Sequence, residues 1–270
     1  MTVLVADLKA ERYSTKIIKA GALLDDSRTL FAHWDVLVGR TENLERLRDQ
    51  NVFGKTSRTR VENVLAIFRQ RYLGSPASAN ALATLAQGGV PSQVLSPVFY
   101  FHAAQSDALL HDVVTELLAP MQRHGRVEVT LSQVLGFVQE QVRAGATVSQ
   151  WGDATSRRVA QGLLATLRDF GVMTGSVKKY LTPLYLPVDA FAYIAFVLSQ
   201  QVGSGERLLR SDEWRLFFLS SELVERFFIE AEMERLLHYN AAGRVVRVDF
   251  PTESIEEYAH ALAQRTHRPA

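Results

Sequence analysis

The residues best placed to do chemistry lie between Asn51 and Leu73. Gly54 marks a turn, Thr56 and Ser57 supply capping hydroxyls, and Lys55, Arg58 and Arg60 crowd the predicted first turn of a helix. Val61, Val64, Leu65 and Phe68 recur at helical spacing and would face a core, while Arg69 and Arg71 sit near the far end. A helix start exposes N–H donors and the positive end of the peptide dipole. Cations there are mildly unfavourable unless an anion lies across them, so the cluster points to a nucleic-acid phosphate. A solvated helix end is the plainer alternative.

A second set lies in the other half. Asp153 or Thr155 begins a long predicted helix whose first turn holds Ser156, Arg157 and Arg158, with Val159, Leu163, Leu164 and Leu167 on its buried side. Beyond Gly171, two β-rich arms flank Gly175-Ser176 and carry Lys178 and Lys179. Helix, turn, helix and hairpin is the order of a winged helix-turn-helix. In that reading Arg157 and Arg158 meet base edges or phosphates, and the two lysines touch backbone. Trp151 lies beside this helix and is the one aromatic placed to reach a nucleic acid, with a structural role as the favoured reading. Winged helices also serve as protein-interaction modules, which keeps a protein adaptor open.

Catalytic patterns fail on inspection. Gly54-Lys55-Thr56 resembles a nucleotide loop, but the glycine required five positions earlier is Asp49 and no strand precedes it. No nucleophile elbow or paired-histidine zinc motif is present. The chain has no cysteine, which removes disulfides, thiolate metal sites and cysteine nucleophiles. His102, Asp107, His111 and Asp112 lack a further ligand and read as capping and surface groups. Glu230, Glu232 and Glu234 spread around a helix as a solvated face, and Trp214, Phe217, Phe218, Phe227 and Phe228 fall mostly in a core. The expectation is a protein that is not an enzyme and needs no cofactor or metal.

The elements that must position these residues are nearly all helical, so the expected fold class is mainly α. Helices are predicted from Ser14 to Leu24, from Asp26 through Leu37, from Thr41, from Arg58 to Leu73, and over 77–87, 92–104 and 107–119. Pro120 to Gly125 breaks the pattern and β-rich segments appear only afterwards. Two domains follow: a helical one over 1–125, and a winged-helix-like one with additional helices over 126–270. In the latter, helices near 211–220 and 221–238 precede a strand from Val245 to Phe250 and a last helix. The uncharged run Ala190 to Gly205 is shorter than the roughly 20 residues needed to span a bilayer and reads as a core helix. A soluble, cytoplasmic protein without membrane contact is expected. The net charge of +1 hides polarity: residues 1–75 carry 13 Lys/Arg against 9 Asp/Glu, and residues 183–270 carry 9 against 13. Basic segments attract phosphate, whereas the acidic end suits a protein neighbour.

The stretch Asn51 to Leu73, with Tyr13-Ser-Thr-Lys-Ile-Ile-Lys-Ala-Gly-Ala-Leu-Leu24 and Glu42-Asn-Leu-Glu-Arg46, resembles the BrxA family of bacteriophage-exclusion (BREX) defence systems. The resemblance is dense over residues 12–75 and loose beyond. It implies a NusB-like helical protein with a role in phage defence, binding nucleic acid without chemistry of its own, and it brings no catalytic residues. Duplex DNA is the expected ligand, with RNA as the alternative, and other BREX proteins are the expected partners.

Overall fold

The structure is a computed structural model that describes residues 13–182, 184–243 and 245–265. In chain order its helices are α1 (Ile17–Ala20), α2 (Leu24–Ala32), α3 (Arg40–Asp49), α4 (Arg58–Arg71), α5 (Pro76–Gln87), α6 (Ser92–Ser106), α7 (Ala108–Asp112) and α8 (Ala119–Arg123), with a π turn at Val113–Leu118. Then come β1 (Glu128–Val129), α9 (Leu131–Arg143), α10 (Asp153–Asp169), β2 (Met173–Thr174), β3 (Lys179–Leu181), α11 (Val188–Ser199) and α12 (Gly205–Leu209). A 3-10 turn (Asp212–Phe217), α13 (Ser221–Met233), β4 (His238–Ala242), β5 (Val245–Asp249) and α14 (Ile255–Arg265) follow. The fold is mainly α, as the periodicity predicts. The chain divides into two compact units that interleave along the sequence instead of meeting at one cut near residue 125. The first takes in Met1–Leu23, Ala103–Leu184 and Asp212–Ser220; the second takes in Leu24–His102, Tyr185–Ser211 and Ser221–Ala270.

The second unit has an aromatic centre. Phe31 stacks on Phe99 at 5.7 Å between centroids, and Tyr72 meets Phe31, Phe68 and Phe99 at 5.6, 5.7 and 5.5 Å. These rings come from α2, α4 with its C-cap, and α6, because each helix places its large apolar residues on one stripe. α2 ends at Ala32, earlier than predicted. Gln87 closes it by donating to the carbonyls of Phe31 and Trp34 at 2.9 and 2.6 Å. Trp34 is buried beyond the helix end, whereas Leu37, expected on the apolar face, is 91% exposed in the loop.

The same loop explains the motif Glu42-Asn-Leu-Glu-Arg46. Asn43 is fully buried. Its amide donates to the carbonyls of Asp35 and Val38 at 2.7 and 3.2 Å, and its oxygen accepts from the Asp35 N–H and Arg46 at 2.9 and 2.8 Å. Arg46 also holds the His33 carbonyl at 2.7 Å. α14 packs on α5 so closely that a Cβ on Gly88 would stand 2.5 Å from the Ala263 Cβ. The predicted strand Val245–Phe250 exists as β5 and pairs antiparallel with β4. The helix predicted over 221–238 ends at Met233, and residues 238–242, for the most part left unassigned by the sequence, form β4. α11 is almost wholly buried, and no helix among the described residues is long and apolar enough to cross a membrane.

In the first unit, the helix predicted from Ser14 to Leu24 shrinks to α1, because Gly21 takes a positive φ of 56° and ends it. α1 lies on α10, where Gly162 permits the approach: a Cβ there would be 3.1 Å from the Ile17 carbonyl oxygen. α9 opens with a reciprocal capping box between Thr130 and Gln133, and α10 follows after nine intervening residues. β2 and β3 form the expected hairpin, and β1 pairs with the outer side of β3, giving the antiparallel order β1-β3-β2. The turn needs Gly175. Its φ is +91°, and a Cβ there would lie 2.0 Å from the Lys178 carbonyl oxygen. Residues 212–217 form a 3-10 turn that buries Trp214, Leu216 and Phe217, so these aromatics are core.

Candidate nucleic-acid interface

In the second unit, Ser57 is the N-cap of α4 and its hydroxyl accepts from the Arg60 N–H at 3.2 Å. Thr56 is exposed one residue earlier, and Arg58 and Arg60 are both exposed. Arg48, Asp49, Asn51, Lys55, Thr56, Ser57, Arg58 and Val61 line a concavity at this helix start. The helix separates its two arginines, because two residues advance about 200° around the axis. Arg58 faces the concavity and Arg60 does not line it. Lys55 is already engaged: its Nζ lies 2.7 Å from Asp26 Oδ1, and both side chains are largely covered. That pairing removes Lys55 from the ready phosphate contacts. Arg71, counted with the basic end of this helix, is buried.

In the first unit, α10 begins at Asp153, so Arg157 and Arg158 occupy its second turn and an acid occupies its first. Ser156 is buried at 2% exposure on the same stripe as Val159, Ala160, Leu163 and Leu167. Helical periodicity thus corrects its place among the contact residues. Arg157 and Arg158 are exposed on the opposite face with Ala154 and Gln161. Lys178 is exposed at the hairpin tip beside Val177, which is 92% exposed. Lys179 is half-buried and its Nζ donates to the Ser176 carbonyl at 2.9 Å, bracing the turn. Trp151 is buried, and its indole Nε1 has no hydrogen-bond partner among the described residues. Its ring is core, in keeping with the structural role favoured from the sequence.

The histidine and acid group divides. Asp107 caps α7, accepting from the Leu110 N–H at 3.2 Å. His111 stands between Asp112 at 2.9 Å and Glu213 at 3.2 Å, and Tyr13 donates to Asp112 at 2.5 Å. Gln105 donates to the same Glu213 carboxylate. Burial alone would lower the His111 pKa, but hydrogen bonds and charge from the two carboxylates raise it to about 9. His102, in the second unit, is wholly enclosed beside the Tyr193 hydroxyl at 3.1 Å, and burial lowers its pKa to about 4. Among the described residues, no group of three or more His, Asp or Glu is arranged to hold a metal ion.

Reading by sequence missed Arg48, which lines the concavity from α3. The available signal was its place on the same side of that helix as Arg40, Thr41, Leu44 and Glu45.

The family model described as BrxA matches residues 11–197 of the chain. No curated protein matches it. Among solved structures, an uncharacterized protein from Magnetospirillum magneticum has a similar fold. It has a TM-score of 0.58 and 18% identity over 70% of this chain and 95% of that one.

Proposed function

The chain belongs to the BrxA family, and from that premise we propose that it is a non-enzymatic, duplex-DNA-binding component of a BREX-type anti-phage defence system. The observation that supports the reading is the order of helix and hairpin in the first unit. α10 turns Arg157 and Arg158 to solvent while its other face is core, and a hairpin bearing Lys178 follows, braced by β1. A helix with exposed cations and a basic hairpin beside it is the layout by which winged helices meet a duplex. The charges are few and the overall pI of about 8.0 is moderate, so binding rests on phosphates and is weakly selective.

Anisotropy titrations of labelled duplex across a salt series test this. Affinity falls with salt, and Arg157→Gln/Arg158→Gln flattens the log–log slope by about 2 while leaving circular dichroism unchanged. Equal binding by this variant and the wild type would overturn the reading. Tighter binding to single-stranded RNA than to duplex would favour the antitermination-like alternative. Absence of turnover of DNA, RNA or ATP with Mg²⁺ or Mn²⁺ is the expected outcome of an activity assay.

A second reading, as adaptor to other BREX proteins, is supported by α13. It exposes Leu223, Ile229 and Met233 at 41, 47 and 79% beside Glu222, Glu230 and Glu232. Association with the other components of the system that survives nuclease treatment would favour it.

A further inference from the structure

The concavity at the start of α4 is one end of a longer feature. A second one is lined by Arg40, Thr41, Leu44, Glu45, Arg48 and Arg69, and Arg48 belongs to both. α3 and α4 pack side by side within the second unit, and these residues occupy their facing edges. On α3, residues 40, 41, 44, 45 and 48 share one side. On α4, Arg58 and Arg69 are eleven residues apart and return to nearly the same angle, about 16 Å apart along the axis.

The lining carries five cations, Arg40, Arg48, Lys55, Arg58 and Arg69, against Glu45 and Asp49. Asp26 neutralises Lys55, and Arg48 is held by Asp49 at 2.9 Å and faces Glu62 at 3.9 Å. Arg40, Arg58 and Arg69 are exposed, and none of them pairs with a carboxylate among the described residues. Arg40 is oriented by donating to the Leu73 carbonyl at 2.9 Å. Three guanidiniums with available donors therefore stand along a groove whose fourth, Arg48, is fixed in place.

We infer that the α3–α4 groove is a track for a phosphodiester backbone, with Arg58 and Arg69 as its principal contacts and Arg40 and Arg48 completing it. This rests on the nucleic-acid reading above and extends it to a second surface. Guanidiniums spaced along a line match successive phosphates of one strand better than a single compact anion, and planar forks favour phosphate oxygens. Neither Arg58 nor Arg69 is buried, so the pair can be changed without opening the core.

The test uses full-length protein and labelled duplex DNA in a salt series. Arg58→Gln/Arg69→Gln is compared with wild type, with Arg157→Gln/Arg158→Gln, and with Arg210→Gln, an exposed site outside the groove. Neutralising two phosphate contacts flattens the slope by about 2, so the advantage of wild type over the groove variant shrinks about tenfold between 50 and 200 mM salt. Arg210→Gln should track wild type. A groove variant equal to wild type while the α10 variant loses binding overturns the groove and spares the DNA reading; both variants equal to wild type overturn both. If the double variant melts early, Arg58→Lys/Arg69→Lys keeps the charge: restored slope supports the track, and a slope as flat as the glutamine pair's overturns it. Inorganic phosphate competing as effectively as DNA, at equal phosphate concentration, would mark a compact anion site and also overturn it.

Discussion

The segments 51–73 and 153–181 look alike as sequence: each offers hydroxyls, five cations and an amphipathic helix. The structure uses them differently. In the first, Ser57 caps, Lys55 pairs with Asp26 and Arg71 is buried, so much of the polar content holds the scaffold together. In the second, Arg157, Arg158 and Lys178 are exposed, while Ser156 and Thr166 are buried, Lys179 braces the turn and Arg168 pairs with Asp169. The lesson is that recognisable residues mark what a family needs for folding as readily as what it needs for contact. Polar side chains inside a motif must be followed to their partners before they are assigned to a ligand.

The largest expected effect breaks or upholds that contrast. Asn43→Ala would strand the Asp35 and Val38 carbonyls, the Asp35 N–H and the Arg46 guanidinium. With net costs of roughly 1 kcal/mol or more per lost bond, the loss should be roughly 4 kcal/mol in urea unfolding. Arg157→Gln/Arg158→Gln, by contrast, should shift stability by less than about 0.5 kcal/mol, as exposed substitutions do. A mild Asn43→Ala would mean that the motif is scaffold in name only, and its polar groups would return as contact candidates.

The next test sets one unit against the other through their histidines. His111 keeps its proton to about 9 in the folded state, against about 6.5 unfolded. Its stabilisation is complete below 6.5 and disappears as pH rises through 9, with an upper bound of roughly 3 kcal/mol. His102 runs the other way. Its folded pKa of about 4 means that stability is complete above 6.5 and declines as pH falls toward 4. His111→Gln should remove the alkaline slope of a stability–pH curve and leave the acidic one. Loss of both slopes together would show that the two histidines report one shared transition.

A smaller effect concerns the cap. Ser57→Ala should cost about 1 kcal/mol, with duplex affinity unchanged where the protein is fully folded. A drop in affinity without a drop in stability would move Ser57 from the scaffold to the interface.

Periodicity made most of the helices legible, because burial of one stripe is a local property of sequence. It also predicted the Gly175 hairpin, where only a residue without Cβ fits. What it could not give were effects of distant partners. Gln87 ends α2 from 53 or more residues away, Asp26 takes Lys55 across 29, and β4 pairs only because β5 lies opposite. The interleaved units and the α3–α4 groove have the same origin. Arg48 and Arg69 lie on different helices, and only packing sets them along one line. Ser156 was the avoidable miss, since it falls in register with Val159 and Leu163.

The finest test separates two arginines that sequence treats as equivalent. Arg58 points to the side of α4 that meets α3, and Arg60 lies about 200° around the helix. A strand that follows the groove gains from Arg58 at contact distance, while Arg60 contributes only through the screened field over roughly a Debye length, about 8 Å at physiological salt. Arg58→Gln should therefore flatten the salt slope by about 0.9 and Arg60→Gln by clearly less. At 50 mM salt the two variants should differ severalfold in affinity, and at 200 mM they should converge as phosphate contacts weaken for both. Equal slopes would mean that the anion lies across the start of α4 and touches both flanks, and the comparison between the two regions would then become one of similar helix-end sites.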